Sequence, residues 1–136
     1  MIQNYLDQHS TGEAYLAPFD IHFGENDVLS PNLSIFSTER CHLLSDRGAE
    51  GAPDLVIEVL SPSTARRDRK DKREIYARHE VKELWLVNTE LETIEVFDLA
   101  KQPDQPVAVL ENGTHPAIET TILPGFSGPL AAIFRP

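Results

Sequence analysis

The sequence predicts an α/β domain, a mixed β-sheet covered by helices. Three observations carry that expectation. Leu55 to Leu60 is a short apolar run bounded by Gly51-Ala-Pro53 and Ser61-Pro-Ser63, as a buried central strand should be. A polar helical stretch over 64–79 follows it, and a second apolar run, 81–88, follows that. Strand, crossover helix and strand make a parallel pair, and the alternating stretches with turn signals on both sides add antiparallel neighbours.

Taken in order, residues 2–9 place Ile2, Tyr5, Leu6 and His9 near one face of a short helix, closed by Gly12. Residues 14–23 alternate as a half-buried strand, with Pro18 marking an edge or bulge. Gly24 to Asp27 is a hairpin loop, and 28–36 is the returning strand, interrupted at Pro31-Asn32. Ser37 or Thr38 caps one helical turn through Leu44, and loop continues to 52. The central strand spans 54–60. Ser61-Pro-Ser63-Thr64 then reads as a helix start, and the helix carries Ile75, Tyr76 and Ala77 toward a core. In 81–88, Leu84 to Val87 are apolar on both faces, so this strand is interior. Strands at 93–99 and 107–111 flank a proline-containing loop, and Asn112-Gly113 is a turn. The tail, from Thr120 through Pro124-Gly125-Phe126-Ser127, ends in a short apolar stretch.

At 136 residues the chain fits one domain that buries roughly two-thirds of its unfolded surface. No run approaches the roughly 18 apolar residues of a membrane span, and no secretory signal is present. The lone Cys41 excludes an internal disulfide and a cysteine-cluster metal site, so the default compartment is the cytoplasm. The net charge of −10 argues against non-specific coating of nucleic acid. It does not exclude a local phosphate-facing patch, because screening confines exposed charge to about 10 Å. Seven of the twelve Lys and Arg residues lie between Arg66 and Arg78.

The chemistry centres on Glu58. An ionised carboxylate inside a buried strand costs several kcal/mol unless a cation, a metal or a polar cleft offsets it. The basic helix directly after it supplies candidate partners. Asp68, Lys72 and Tyr76 share a face of that helix. Arg66, Arg67, Arg69, Lys70 and Arg73 either face phosphates or, interleaved with acids, form a solvated ion-pair surface. Ser61 and Ser63 either donate to a phosphate at the helix start or simply cap it. Asp54 shares a strand face with Glu58 but stands about 13 Å along it, too far for one ion to bind both directly. It reaches the site only through water, or else satisfies backbone donors where the strand begins. The five His residues have no metal-ligand spacing, and Trp85 is most simply core.

PDLVIEVLSPST (53–64), then Asp68, Lys72 and Tyr76, then KELWLVN (82–88) and ETIEVFDL (92–99), resemble the Uma-two-type family of restriction endonucleases. AYLAPFDIHF (14–23), VLSPNLSIF (28–36) and LPGFSG (123–128) resemble it too, so the likeness spans essentially the whole chain. That family belongs to the PD-(D/E)XK nuclease superfamily. The resemblance implies a restriction-endonuclease-like fold and Mg²⁺-dependent cleavage of DNA, with Mn²⁺ an alternative ion, and by family habit a homodimer. It implies Glu58 as metal ligand and Lys72 as the transition-state cation, because Leu60 occupies the position where an unmigrated Lys would stand. Asp68 and Tyr76 would support that pair. The family's other acid follows a proline on the preceding strand, which here is Asn32 after Pro31. An amide oxygen coordinates Mg²⁺ without supplying charge, so affinity should fall; Asp54 through water, or Asp20, would make up part of it. The family generally has a longer N-terminal part bearing a further glutamate, and this chain begins inside that region. The expectation is therefore one domain, 1–136, shortened at its N-terminus. Asn32 and that shortening favour a competing reading, a degenerate member that binds DNA or a partner without cutting.

Overall fold

The apolar run after Pro53 forms strand β7 (Leu55–Leu60), and the second run forms β8 (Glu83–Asn88). They pair in parallel, Glu58 opposite Leu86, joined by helix α2 (Arg66–Arg78). The computed structural model describes residues 2–9, 11–60 and 66–134; for Asn4 and residues 66–68 it describes the backbone alone.

Four more strands complete the main sheet: β1 (Gly12–Leu16), β4 (Leu33–Ser37), β9 (Thr93–Asp98) and β10 (Ala108–Glu111). The order is β1-β4-β7-β8-β9-β10, antiparallel at every step except β7–β8. The mixed sheet expected from the sequence is present. Its inner strands are apolar on both faces because both faces are covered.

On one face, α1 (Ile2–His9) lays Tyr5 and Leu6 against Ile57, Trp85, Val87 and Ile94. On the other, Tyr76 from α2 packs with Phe36, Val56, Leu84 and Phe97. A small sheet, β3-β2-β6-β5, joins that second layer; it contains β2 (Ile21–Phe23), β3 (Asp27–Leu29), β5 (Leu44–Ser45) and β6 (Gly48–Ala49). No described helix is long and apolar enough to cross a membrane.

Several expectations need correction. Residues 28–36 are not one strand, since β3 ends at Leu29 in the small sheet and β4 starts at Leu33 in the main one, and the stretch expected as loop to 52 holds β5 and β6. Residues 14–23 are not one strand either: β1 ends at Leu16 and β2 starts at Ile21 in a different sheet. Pro18 lies in the break, where it has no N–H to give a ladder. The tail contains a hairpin the alternation did not disclose, β11 (Ala117–Glu119) with β12 (Ser127–Pro129), followed by α3 (Leu130–Phe134). Its strands have three residues each, too short for a period-two pattern to stand out. The turn at 38–44 is a 3₁₀ helix, Thr38–Leu43, and Ser37 at its start makes no side-chain cap bond.

Candidate active site

The antiparallel ladder between β4 and β7 runs through Leu33 opposite Ile57 and there stops being a backbone ladder. Continued by one residue, that register sets Asn32 against Glu58, and side chains take over the bonding. The Asn32 N–H donates to Glu58 Oε1 at 3.0 Å, and the Val59 N–H donates to Asn32 Oδ1 at 2.9 Å. Glu58 has its other oxygen toward α2: Lys72 Nζ lies 3.4 Å and Tyr76 Oη 3.3 Å from Oε2. Lys72 and Tyr76 stand four residues apart, one turn of helix, and so both reach the same carboxylate.

Glu58 is 8 % exposed, and its burial is offset by two backbone or hydroxyl donors and one ammonium rather than by an Arg. The group lies at a cleft of about 50 Å³ whose walls include Asn32, Arg69, Lys72, Arg73 and Tyr76 over a floor of Leu84 and Leu86. The residue just before β4, with β7 and α2, thus brings one carboxylate, one amide oxygen and three cations to one place. Cations and oxygen ligands side by side are the chemistry that an anion or a hard cation would need.

Asp54 is elsewhere. Its Oδ2 accepts the Ser37 N–H at 2.6 Å, and its Oδ1 lies 3.1 Å from Lys82 Nζ and 3.5 Å from Arg40 Nε. Arg40 also donates to the carbonyls of Ala52, Pro53 and Glu80. Of the two expectations for Asp54, these contacts support the second, satisfying donors where the strand begins: it tethers the start of β7 to β4 and the turns beside it. Sequence reasoning missed Arg40 as the partner, since 13 residues without a clear pattern lie between the two. Asp20 is exposed in the segment before β2 and does not line the cleft.

Of the expected basic residues, Arg69 and Arg73 line the cleft, and Lys70 lines the groove beyond it while pairing loosely with Glu74 at 3.9 Å. Arg73 places its guanidinium 5.2 Å from the centre of the Phe97 ring. Ser61 lies outside the described residues, as do the side chains of Arg66, Arg67 and Asp68. Among the described residues, no group of three or more His, Cys, Asp or Glu side chains is placed to hold a metal ion.

The family model described as "Uma2: Putative restriction endonuclease" matches residues 1–132. The chain belongs to the Uma2 family. A crystal structure described as a "putative nuclease belonging to DUF820", from Anabaena variabilis, superposes with a TM-score of 0.78 at 19 % identity, over 98 % of this chain and 73 % of that one. Likeness at that identity speaks for the fold, and the Uma2 domain here is nuclease-like in architecture. Among curated proteins no relative matches.

Proposed function

We propose that this Uma2 protein is a divalent-metal-dependent endonuclease acting on DNA, with Glu58, Asn32 and Lys72 at its reacting centre. One observation carries the reading: from three separate elements, Asn32, Glu58, Lys72 and Tyr76 converge on one small cleft beside Arg69 and Arg73.

The donor set fits Mg²⁺ as a partial shell. Mg²⁺ takes hard oxygens and is commonly held by one or two carboxylates plus substrate phosphate and water, and the cleft offers the Glu58 carboxylate and the Asn32 amide oxygen. A bound ion would polarise the phosphate and lower the pKa of the attacking water. This chain's residues do the rest. The Asn32 N–H and the Tyr76 hydroxyl orient the two oxygens of Glu58. Lys72 balances the Glu58 charge and lies where an ammonium would stabilise charge developing on a phosphate. Arg69 and Arg73 hold the flanking anion. Glu58 and Asn32 would hold the ion, and a single carboxylate would hold it weakly.

The test is plasmid nicking with Mg²⁺ or Mn²⁺, alongside calorimetric titration of the ion, for wild type, Glu58→Ala and Asn32→Asp. Nicking by wild type is lost in Glu58→Ala, and Asn32→Asp tightens ion binding on the order of 10-fold by adding a carboxylate opposite Glu58. Cutting that survives Glu58→Ala refutes the site. A second reading is favoured by Asn32 and the three neighbouring cations: a member that holds DNA without cutting it. It prevails if no variant binds metal while DNA is still bound. Sedimentation of the same samples tests the expected homodimer, and a free Cys41 suits a reducing cytoplasm.

A further inference from the structure

Next to the cleft, and sharing Leu60, Arg69, Arg73 and Leu86 with it, runs a larger groove of about 660 Å³ across β8, β9 and β10. One wall is α2, with Arg69, Lys70 and Arg73; facing them is one carboxylate, Glu95. The floor follows the sheet register, in which Glu58 pairs with Leu86, Leu86 with Glu95, and Glu95 with Val109. One row of side chains therefore leads from the reacting carboxylate out along the groove. At its far end Leu91 is 68 % and Val109 50 % exposed. Arg69 lines both spaces, and among the described residues its Nε is buried with no hydrogen-bond partner.

We infer that this groove carries an unpaired strand of nucleic acid, its phosphates on Arg69, Lys70 and Arg73 and its bases against Leu91 and Val109, leading into the Glu58 cleft. Wall and floor together are complementary to such a strand. A cationic wall alone serves any phosphate backbone, but exposed apolar side chains beside it, Leu91 and Val109, gain only from bases that are not stacked inside a duplex. Duplex DNA shows phosphates outward and would leave Leu91 and Val109 in water. The chain as a whole is acidic at −10, so the cations gathered on this one wall mark where a polyanion can approach. This inference rests on the nuclease reading and adds the strandedness of its substrate.

The experiment is fluorescence anisotropy with three labelled probes of one length: a single strand, its duplex, and an abasic strand that keeps the phosphates and lacks the bases. Mg²⁺ is replaced by Ca²⁺ to limit cutting. The single strand binds at least about 10-fold more tightly than either other probe. The double variant Leu91→Ser, Val109→Ser weakens the single strand about 5-fold or more and leaves the abasic strand unchanged. Arg69→Gln with Arg73→Gln weakens all three. Duplex or abasic strand bound as tightly as the single strand overturns the strand preference and leaves the nuclease reading standing. Absence of binding to any probe overturns both. A floor variant that changes only the oligomeric state, with strand affinity intact, assigns the floor to a second copy of the chain and also overturns the inference.

Discussion

Asp54 stands just before β7 and Glu58 within it, and their surroundings give them different work, a division that Asp54 tests. Asp54 is 1 % exposed and meets the Ser37 N–H, Lys82 and Arg40. Replacing it with Ala leaves Ser37 with an unmet donor and Arg40, whose side chain is 21 % exposed, with a part-buried charge. Breaking a buried pair from one side costs about 3–5 kcal/mol. Lys82 is half exposed and turns to water, which places this case near the low end, about 3 kcal/mol. For a domain of this size that is a fall in Tm of about 10 °C. Asp54→Asn keeps an acceptor for Ser37 and loses the ionic part, about 1.5 kcal/mol. Urea unfolding at pH 7, followed by far-UV circular dichroism, measures both. Neither variant changes metal or DNA affinity per folded molecule. A cost below about 1 kcal/mol for Asp54→Ala, or a folded Asp54→Asn that no longer binds metal, refutes the assignment.

Other outcomes follow from single environments. Burial pushes the Glu83 carboxyl above the ordinary glutamate range, against the opposing pull of hydrogen bonds from Trp85 and Thr120. The native state therefore holds that proton more tightly than the unfolded chain, and the wild type loses stability as pH rises from about 4.3 through the raised value. Glu83→Gln removes that loss, so its urea midpoint gains on wild type between pH 4 and pH 7; a constant difference contradicts it. Burial and the neighbouring Glu13 likewise raise the Cys41 thiol, so alkylation at pH 8 runs slower than for an exposed cysteine peptide. Gly48 has φ +120°, and a Cβ there would stand 2.0 Å from the Asp20 carbonyl oxygen, so Gly48→Ala unfolds the β2–β6 corner and lowers Tm sharply in a thermal melt. Trp85 packs on the sheet face opposite the cleft, and its emission stays constant on titration with DNA.

The parts legible in the sequence were those with a strong local signal. The run at 55–60, the basic helix and the run at 83–88 fix a parallel crossover, and a parallel crossover fixes which helix faces Glu58. The nearness of Lys72 and Tyr76 to Glu58 follows from that helix and its four-residue spacing. What was not legible depended on partners distant in the chain. Asp54 looked like a possible ligand because its identity and strand face are right; that Arg40 and Lys82 occupy it is a matter of tertiary placement. Pro18 signals an edge or a bulge, but whether a proline bends a strand or ends it depends on which sheet receives Ile21. The groove beyond Leu86 arises from the register of β9 and β10, which alternation alone does not supply.

The rung at Asn32 has a consequence for how the site should be dissected. Its main-chain nitrogen and its amide oxygen both stitch this end of β4 to β7, and truncation keeps the first stitch but cuts the second, leaving the Val59 N–H without its acceptor. An inactive Asn32→Ala would thus be ambiguous, since the loss of that stitch and the loss of the side-chain oxygen occur together. Asparagine exchanged for aspartate preserves both stitches and alters charge alone, which makes it the informative swap at this residue.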